Sequence, residues 1–183
     1  MLTEALRKVV TALDELRISY ALIGGLGVIA RGVMRATKDV DLLIDASVRD
    51  GRSLTYSLQE HGLLGAFQKG GLDDPLPGLI RLDVPVSSGV IRCDLLFPVR
   101  TWEAEIVRNA TPVEVEGLVI HVARAADLFL LKLRAGGPQD LIDAAELLRM
   151  QPAQEQAAWQ AAASKRHLTH ELKRCLQFIK ETD

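Results

Sequence analysis

Between residues 18 and 45 the chain runs from an apolar strand through a glycine pair and a short helix to a second strand that opens on two acids. Few folds accommodate that order. Residues 18–23, Ile-Ser-Tyr-Ala-Leu-Ile, read as a strand; Gly24-Gly25 breaks it, and residues 26–31 resume as a short helix. Such a turn offers backbone N–H groups and a helix start, which phosphate groups favour. Residues 40–44 read as a buried strand with Asp39 and Asp41 at its start. Side chains two apart in a strand share a face. Two unpaired carboxylates on one face repel each other and resist desolvation.

A third acid offers a reason for the pair. Residues 90–97, Val-Ile-Arg-Cys-Asp-Leu-Leu-Phe, form a strand with Asp94 amid apolar neighbours. If that strand lies beside residues 40–44, three carboxylates converge at one sheet end. A hard divalent cation such as Mg²⁺ relieves their repulsion. Two such ions can clamp a phosphoryl transfer, one on the attacking oxygen and one on the leaving phosphate. The bland alternative for Asp94 is pairing with Arg92 on its own strand. Arg35 and Thr37 share the face parity of Asp39 and Asp41; contact with a nucleotide and ordering of the loop are both open for them. Asp45 has the same parity at the far end, where capping of the following helix suits it. Cys93 faces away from Asp94 and reads as a core thiol.

The rest of the chain alternates and then turns helical. Residues 2–17 have apolar positions at helical spacing. A helix is expected over 48–60 and a strand over 63–68. Residues 69–78, with three glycines, two prolines and two aspartates, read as a loop. Strands are expected over 79–84 and 90–97, joined by a hairpin connection at 85–89, and again over 113–115 and 118–122. Helices follow over 127–135, from Pro138 to Pro152, over 154–163 and over 167–179. The plan is α/β to residue 122 and helical from 123 to 183, packed as a single compact unit.

Composition narrows the partners. Net charge is −2 and aromatics make up 4% of 183 residues, which disfavours a nucleic-acid platform built on stacked rings. The basic residues Lys165, Arg166, Lys173, Arg174 and Lys180 form a local patch in the tail; most such helices are merely solvated. Two cysteines make neither a disulfide scaffold nor a zinc site. His167 and His170, three apart, have no acid or cysteine clearly in reach to complete a metal site. No apolar run approaches the ~20 residues of a membrane span, and the charged N-terminal stretch is unlike a signal peptide. A soluble cytoplasmic protein with no membrane partner is expected.

Gly24-Gly25, the Arg-x-Thr-x-Asp-Val-Asp run from Arg35 to Asp41, and Asp94 on a later strand together resemble the nucleotidyltransferase superfamily. Within it, the sequence most resembles the small bacterial group around the AbiEii toxins of abortive-infection systems. Lys132, a short break, then Asp140 and Asp143 support that branch. The resemblance covers residues 19–148.

The resemblance implies a fold like that of DNA polymerase β: α/β (α+β), a mixed sheet flanked by helices, with C-terminal helices. It implies transfer of a nucleoside monophosphate from an NTP to an acceptor, with release of pyrophosphate. Asp39 and Asp41 would bind the metals, with two Mg²⁺ ions expected, and Asp94 would complete the catalytic site near the acceptor. Gly24 and Gly25 would approach the triphosphate, and Lys132 would neutralise phosphate charge. The acceptor implied is tRNA, a protein or a small molecule, and an antitoxin partner belongs to the toxin reading. The competing expectation is an inactive nucleotide-binding or regulatory module of the same fold.

Overall fold

Tyr20–Ile23 (β1), four consecutive buried residues, lies inside a sheet built from both halves of the α/β segment. A computed structural model describes residues 1–70 and 77–182. The central part of the loop expected over 69–78 therefore lies outside the described residues; at its margins Gly70 N–H donates to the Pro77 carbonyl at 3.1 Å.

The other strands are Asp39–Ile44 (β2), Leu64–Lys69 (β3), Gly78–Val86 (β4), Gly89–Leu96 (β5), Thr111–Val115 (β6) and Leu118–Val122 (β7). Their spatial order is β3-β4-β5-β2-β1-β7-β6. β2 runs parallel to β5 and β1 parallel to β7, and the remaining neighbours are antiparallel. The sheet is therefore mixed, as expected.

The chain divides into two units, residues 1–30 with 35–123 and residues 31–34 with 124–183. In the first, Leu2–Glu15 (α1) buries Ala5, Leu6, Val9, Val10 and Leu13 in the core. The same core takes Val40, Leu42 and Ile44 from alternate positions of β2, with Cys93 and Leu95 from β5. Each fully buried leucine contributes about 1.5–3 kcal/mol. The period-2 alternation then leaves Asp39, Asp41, Arg92 and Asp94 on the opposite face. Gly24–Ala30 (α2) starts at the glycines themselves. Gly51–Glu60 (α3) follows a short 3₁₀ turn at Val48–Asp50. Ser47 caps that turn, its Oγ accepting from Arg49 N–H at 3.3 Å. Asp45 is thus not the cap; its N–H donates to the Ser19 carbonyl instead.

Thr101–Arg108 (α4) has no counterpart among the expected elements. It is short, with only Trp102, Ile106 and Val107 as large apolar residues. Its start is held by buried Glu103, whose carboxylate accepts from Val99 N–H at 2.8 Å.

The second unit holds Ala125–Ala135 (α5), Pro138–Arg149 (α6), Ala153–Lys165 (α7) and Thr169–Thr182 (α8). Gly136, left-handed at φ 67°, ends α5. Pro138 opens α6 at a position that needs no N–H donor. Among the described residues, no helix is long and apolar enough to cross a membrane.

Candidate active site

The site is assembled from the end of β1, the start of β2 and Asp94 within β5. Asp41 of β2 stands opposite Asp94 of β5 in the parallel pair, and Ile23, the last residue of β1, stands opposite Asp41 on the other side. Gly24 follows at φ +60°. A Cβ there would overlap the Asp41 carboxylate and Cβ, so the bare α-carbon is what lets Asp41 close over the turn. A Cβ on Gly25 would fall 2.7 Å from Thr37 Oγ1 and 3.1 Å from the Arg35 guanidinium carbon. The glycine turn is thereby lined by Asp41, Thr37 and Arg35.

Thr37 has a second contact. Its hydroxyl donates to Asp39 Oδ1 at 2.8 Å, fixing the first acid of the pair. Of the two roles open for Thr37, ordering the loop before β2 is thus visible in the structure. Gly24, Gly25, Arg35, Thr37, Asp39, Asp41 and Asp94 are brought together around one turn and two adjoining strands.

Asp94 has a partner that sequence reasoning missed. Arg81 of β4 stands opposite it in the antiparallel pair. Arg81 Nε donates to Oδ1 at 2.9 Å and a terminal nitrogen donates to Oδ2 at 2.7 Å, a two-pronged fork. The expected alternative, Arg92, loses to geometry. Residues directly opposite across strands lie about 4.5–5.5 Å apart, closer than side chains two apart on one strand. The hydrogen bond to Asp94 leads the causes that hold the Arg81 pKa above its ordinary value; the nearby Asp83 and Asp41 charges add to it.

The acids also reach through the sheet. Burial first, and then the charges of Asp41, Asp94 and Asp39, together push the Cys93 thiol up to about 12. Cys93 is fully buried in the core, as its strand parity implied.

The hard oxygen donors of Asp39 and Asp41, on one face beside a side-chain-free turn, fit a divalent cation in kind. Asp94 has the right chemistry and register, but both of its oxygens accept from Arg81. Among the described residues, no three His, Cys, Asp or Glu side chains form a group arranged to hold a metal ion.

Lys132 belongs to the second unit. Its ammonium lies 2.8 Å from Asp140 Oδ1 and 2.8 Å from Asp143 Oδ2. Burial alone would lower its pKa, but hydrogen bonds to the two carboxylates outweigh that and raise it. Asp140 also accepts from Gly137 N–H at 3.3 Å, and Gln139 donates to Asp143 at 3.0 Å. The Lys-break-Asp-x-x-Asp pattern therefore forms a buried ion cluster within that unit.

No protein-family model matches the chain, and no curated protein matches it in sequence. Among solved structures it is similar to an antigenic nucleotidyltransferase-like protein from Paracoccidioides brasiliensis. The identity is 19% and the TM-score 0.56, over 94% of this chain and 91% of that one. It is similar to ANT(2'')-Ia in complex with adenylyl-2''-tobramycin at 16% identity and TM-score 0.56, covering 88% of this chain and 96% of that one. It is similar to the lincosamide antibiotic adenylyltransferase LnuA, lincomycin-bound, at 14% identity and TM-score 0.51, covering 80% of this chain and 96% of that one. These likenesses establish the fold, which is the nucleotidyltransferase fold expected from the motifs.

Proposed function

We propose that this chain is a nucleotidyltransferase that moves a nucleoside monophosphate from an NTP to an acceptor and releases pyrophosphate. The observation that carries the reading is the pairing of Asp41 with Asp94 across β2 and β5 while Gly24 lies bare against Asp41. It sets a glycine turn fit for a triphosphate next to two strands of acids.

Each residue then has a task. Gly24 and Gly25 let Asp41, Thr37 and Arg35 close in on the turn whose backbone N–H groups would meet the triphosphate. Asp39, held by Thr37, and Asp41 would hold Mg²⁺, with Asp94 completing the set on the acceptor side. When bound, the ions supply charge stabilisation for the transferring phosphoryl group and lower the pKa of the attacking oxygen. Arg35, beside Gly25, would meet phosphate charge. Catalysis on this arrangement is mostly positioning and electrostatics.

The acceptor classes are a small molecule, tRNA and a protein. The similar structures holding lincomycin and adenylyl-tobramycin support including small molecules. The resemblance to AbiEii toxins supports tRNA, and with it a toxin role with an antitoxin partner. The second reading is an inactive nucleotide-binding module of the same fold. The Arg81 fork on the third acid favours it, because that acid is already engaged.

The test is transfer of label from each α-³²P-NTP, with Mg²⁺, to tRNA, protein and small-molecule pools. Transfer is expected with the wild type and is abolished in Asp41→Asn, with thermal unfolding unchanged. No transfer to any pool, alongside retained NTP binding, sinks the enzyme reading and leaves the inactive module.

A further inference from the structure

Asp41 and Asp94 stand directly opposite each other across β2 and β5, and like charges so placed repel. Arg81 offsets that repulsion from the far side of Asp94. Its fork uses one N–H for each carboxylate oxygen, so the side of Asp94 that best receives a cation is occupied by a guanidinium. The pair is accessible rather than sealed. The Arg81 side chain is 35% exposed and the Asp94 side chain 16%.

Arg81 also has somewhere to go. Asp83 lies two residues along the same strand, on the same face, and is exposed. The charges of Asp83 and Asp41 both act on the guanidinium already. A long stem pivoting on β4 can therefore leave Asp94 for Asp83 without losing an anionic partner.

We propose that Arg81 is a built-in counter-ion of Asp94 that must be exchanged for a divalent cation, so that Arg81 and metal compete for the third carboxylate. The inference rests on the metal-dependent reading of the site and adds its regulation. The Asp39–Asp41 pair loads first, and Asp94 joins only after the fork opens. Arg81 acts through Asp94 and is a positioning residue. Before the exchange, it keeps two opposed carboxylates in register.

The test is Mn²⁺ binding to the full chain without nucleotide, followed by electron paramagnetic resonance and calorimetry. Arg81→Gln removes the charge and keeps most of the stem. It is expected to bind Mn²⁺ about tenfold more tightly than wild type and with an added equivalent, because one positive charge has left the site. Adding Asp94→Asn to Arg81→Gln is expected to remove that gain. Arg81→Lys cannot fork both oxygens and is expected to fall between wild type and Arg81→Gln, which keeps the proposal testable if Arg81→Gln folds poorly. Equal or weaker Mn²⁺ binding in both Arg81 variants, with binding still lost in Asp41→Asn, overturns the exchange and leaves the metal site standing. Undiminished binding in Asp41→Asn overturns both.

Discussion

The α-carbon of Gly24 lies against the carboxylate of Asp41, and no side chain fits between them. The contact ties the turn that follows β1 to the acid at the head of β2. It also gives the glycine two separate reasons to be there, its φ of +60° and the close approach.

Gly24→Ala should therefore damage activity more than stability. The left-handed backbone costs an alanine roughly 1–2 kcal/mol. The new methyl group must also displace Asp41 from its place opposite Asp94. The expectation is a loss of at least about 100-fold in nucleotidyl transfer, with a modest fall in melting temperature. Activity lost only in proportion to unfolding would remove Asp41 placement as the cause.

Thr37→Val removes the hydroxyl that holds Asp39 and keeps the shape. A hydrogen bond to a charged group contributes about 1.5–3 kcal/mol, and exposure at this site brings the effect to the lower end. Transfer efficiency should fall about tenfold or somewhat more, while Thr37→Ser retains most of it. Indistinguishable kinetics for the two variants would show that the Asp39 contact has no role in the reaction.

Lys132→Met should unfold the second unit more easily. It takes the ammonium away from Asp143, whose side chain is 1% exposed. Breaking one side of a buried pair costs about 3–5 kcal/mol. Adding Asp143→Asn to Lys132→Met should recover part of this, because the buried negative charge is then gone as well. A phosphate-binding lysine predicts the opposite pattern, with NTP affinity lost and urea unfolding unchanged. Urea titrations of the single and double variants beside NTP binding separate the cases.

Alkaline pH should weaken the fold through Cys93. Its folded-state pKa, about 12, lies above the ordinary thiol value of 9.0 because burial and the nearby acids oppose the thiolate. A raised folded pKa means the folded chain holds the proton more tightly. The associated stability is complete below pH 9 and is lost as pH climbs from 9 towards 12. From about pH 8 to about pH 10.5 the Cys93 share of the loss is about 2 kcal/mol. Cys93→Ala, though less stable at neutral pH, should show a shallower decline of its urea midpoint over that range. Parallel declines for the two proteins would contradict the assignment.

Local signals were legible and partner choice was not. The helix at 2–15, the strand pair around residues 86–89 and the break at Gly136 all follow from spacing, turn residues and backbone freedom. Helix α4 escaped because its eight residues make barely two turns with three large apolar side chains, and its start is held by Glu103 reaching back to Val99. The Arg81–Asp94 pair could have been counted out. With Val86 opposite Gly89 across a two-residue turn, residue 81 falls opposite residue 94. The wider connection drawn at 85–89 left that register open.

By itself the sequence determined that Asp39 and Asp41 share a face, that Cys93 points away from Asp94, and that the chain turns sharply at Gly24-Gly25. Each of these follows from the two-residue period of a strand or from what a glycine backbone can adopt, and needs no knowledge of neighbours. Tertiary structure alone decided that Asp94 lies opposite Asp41. It alone decided that Lys132 directs its charge to Asp140 and Asp143. Those outcomes depend on strand order and on how successive helices pack, which the periodicity of a single element does not fix, and charges pair with whatever lies nearest once the backbone is in place.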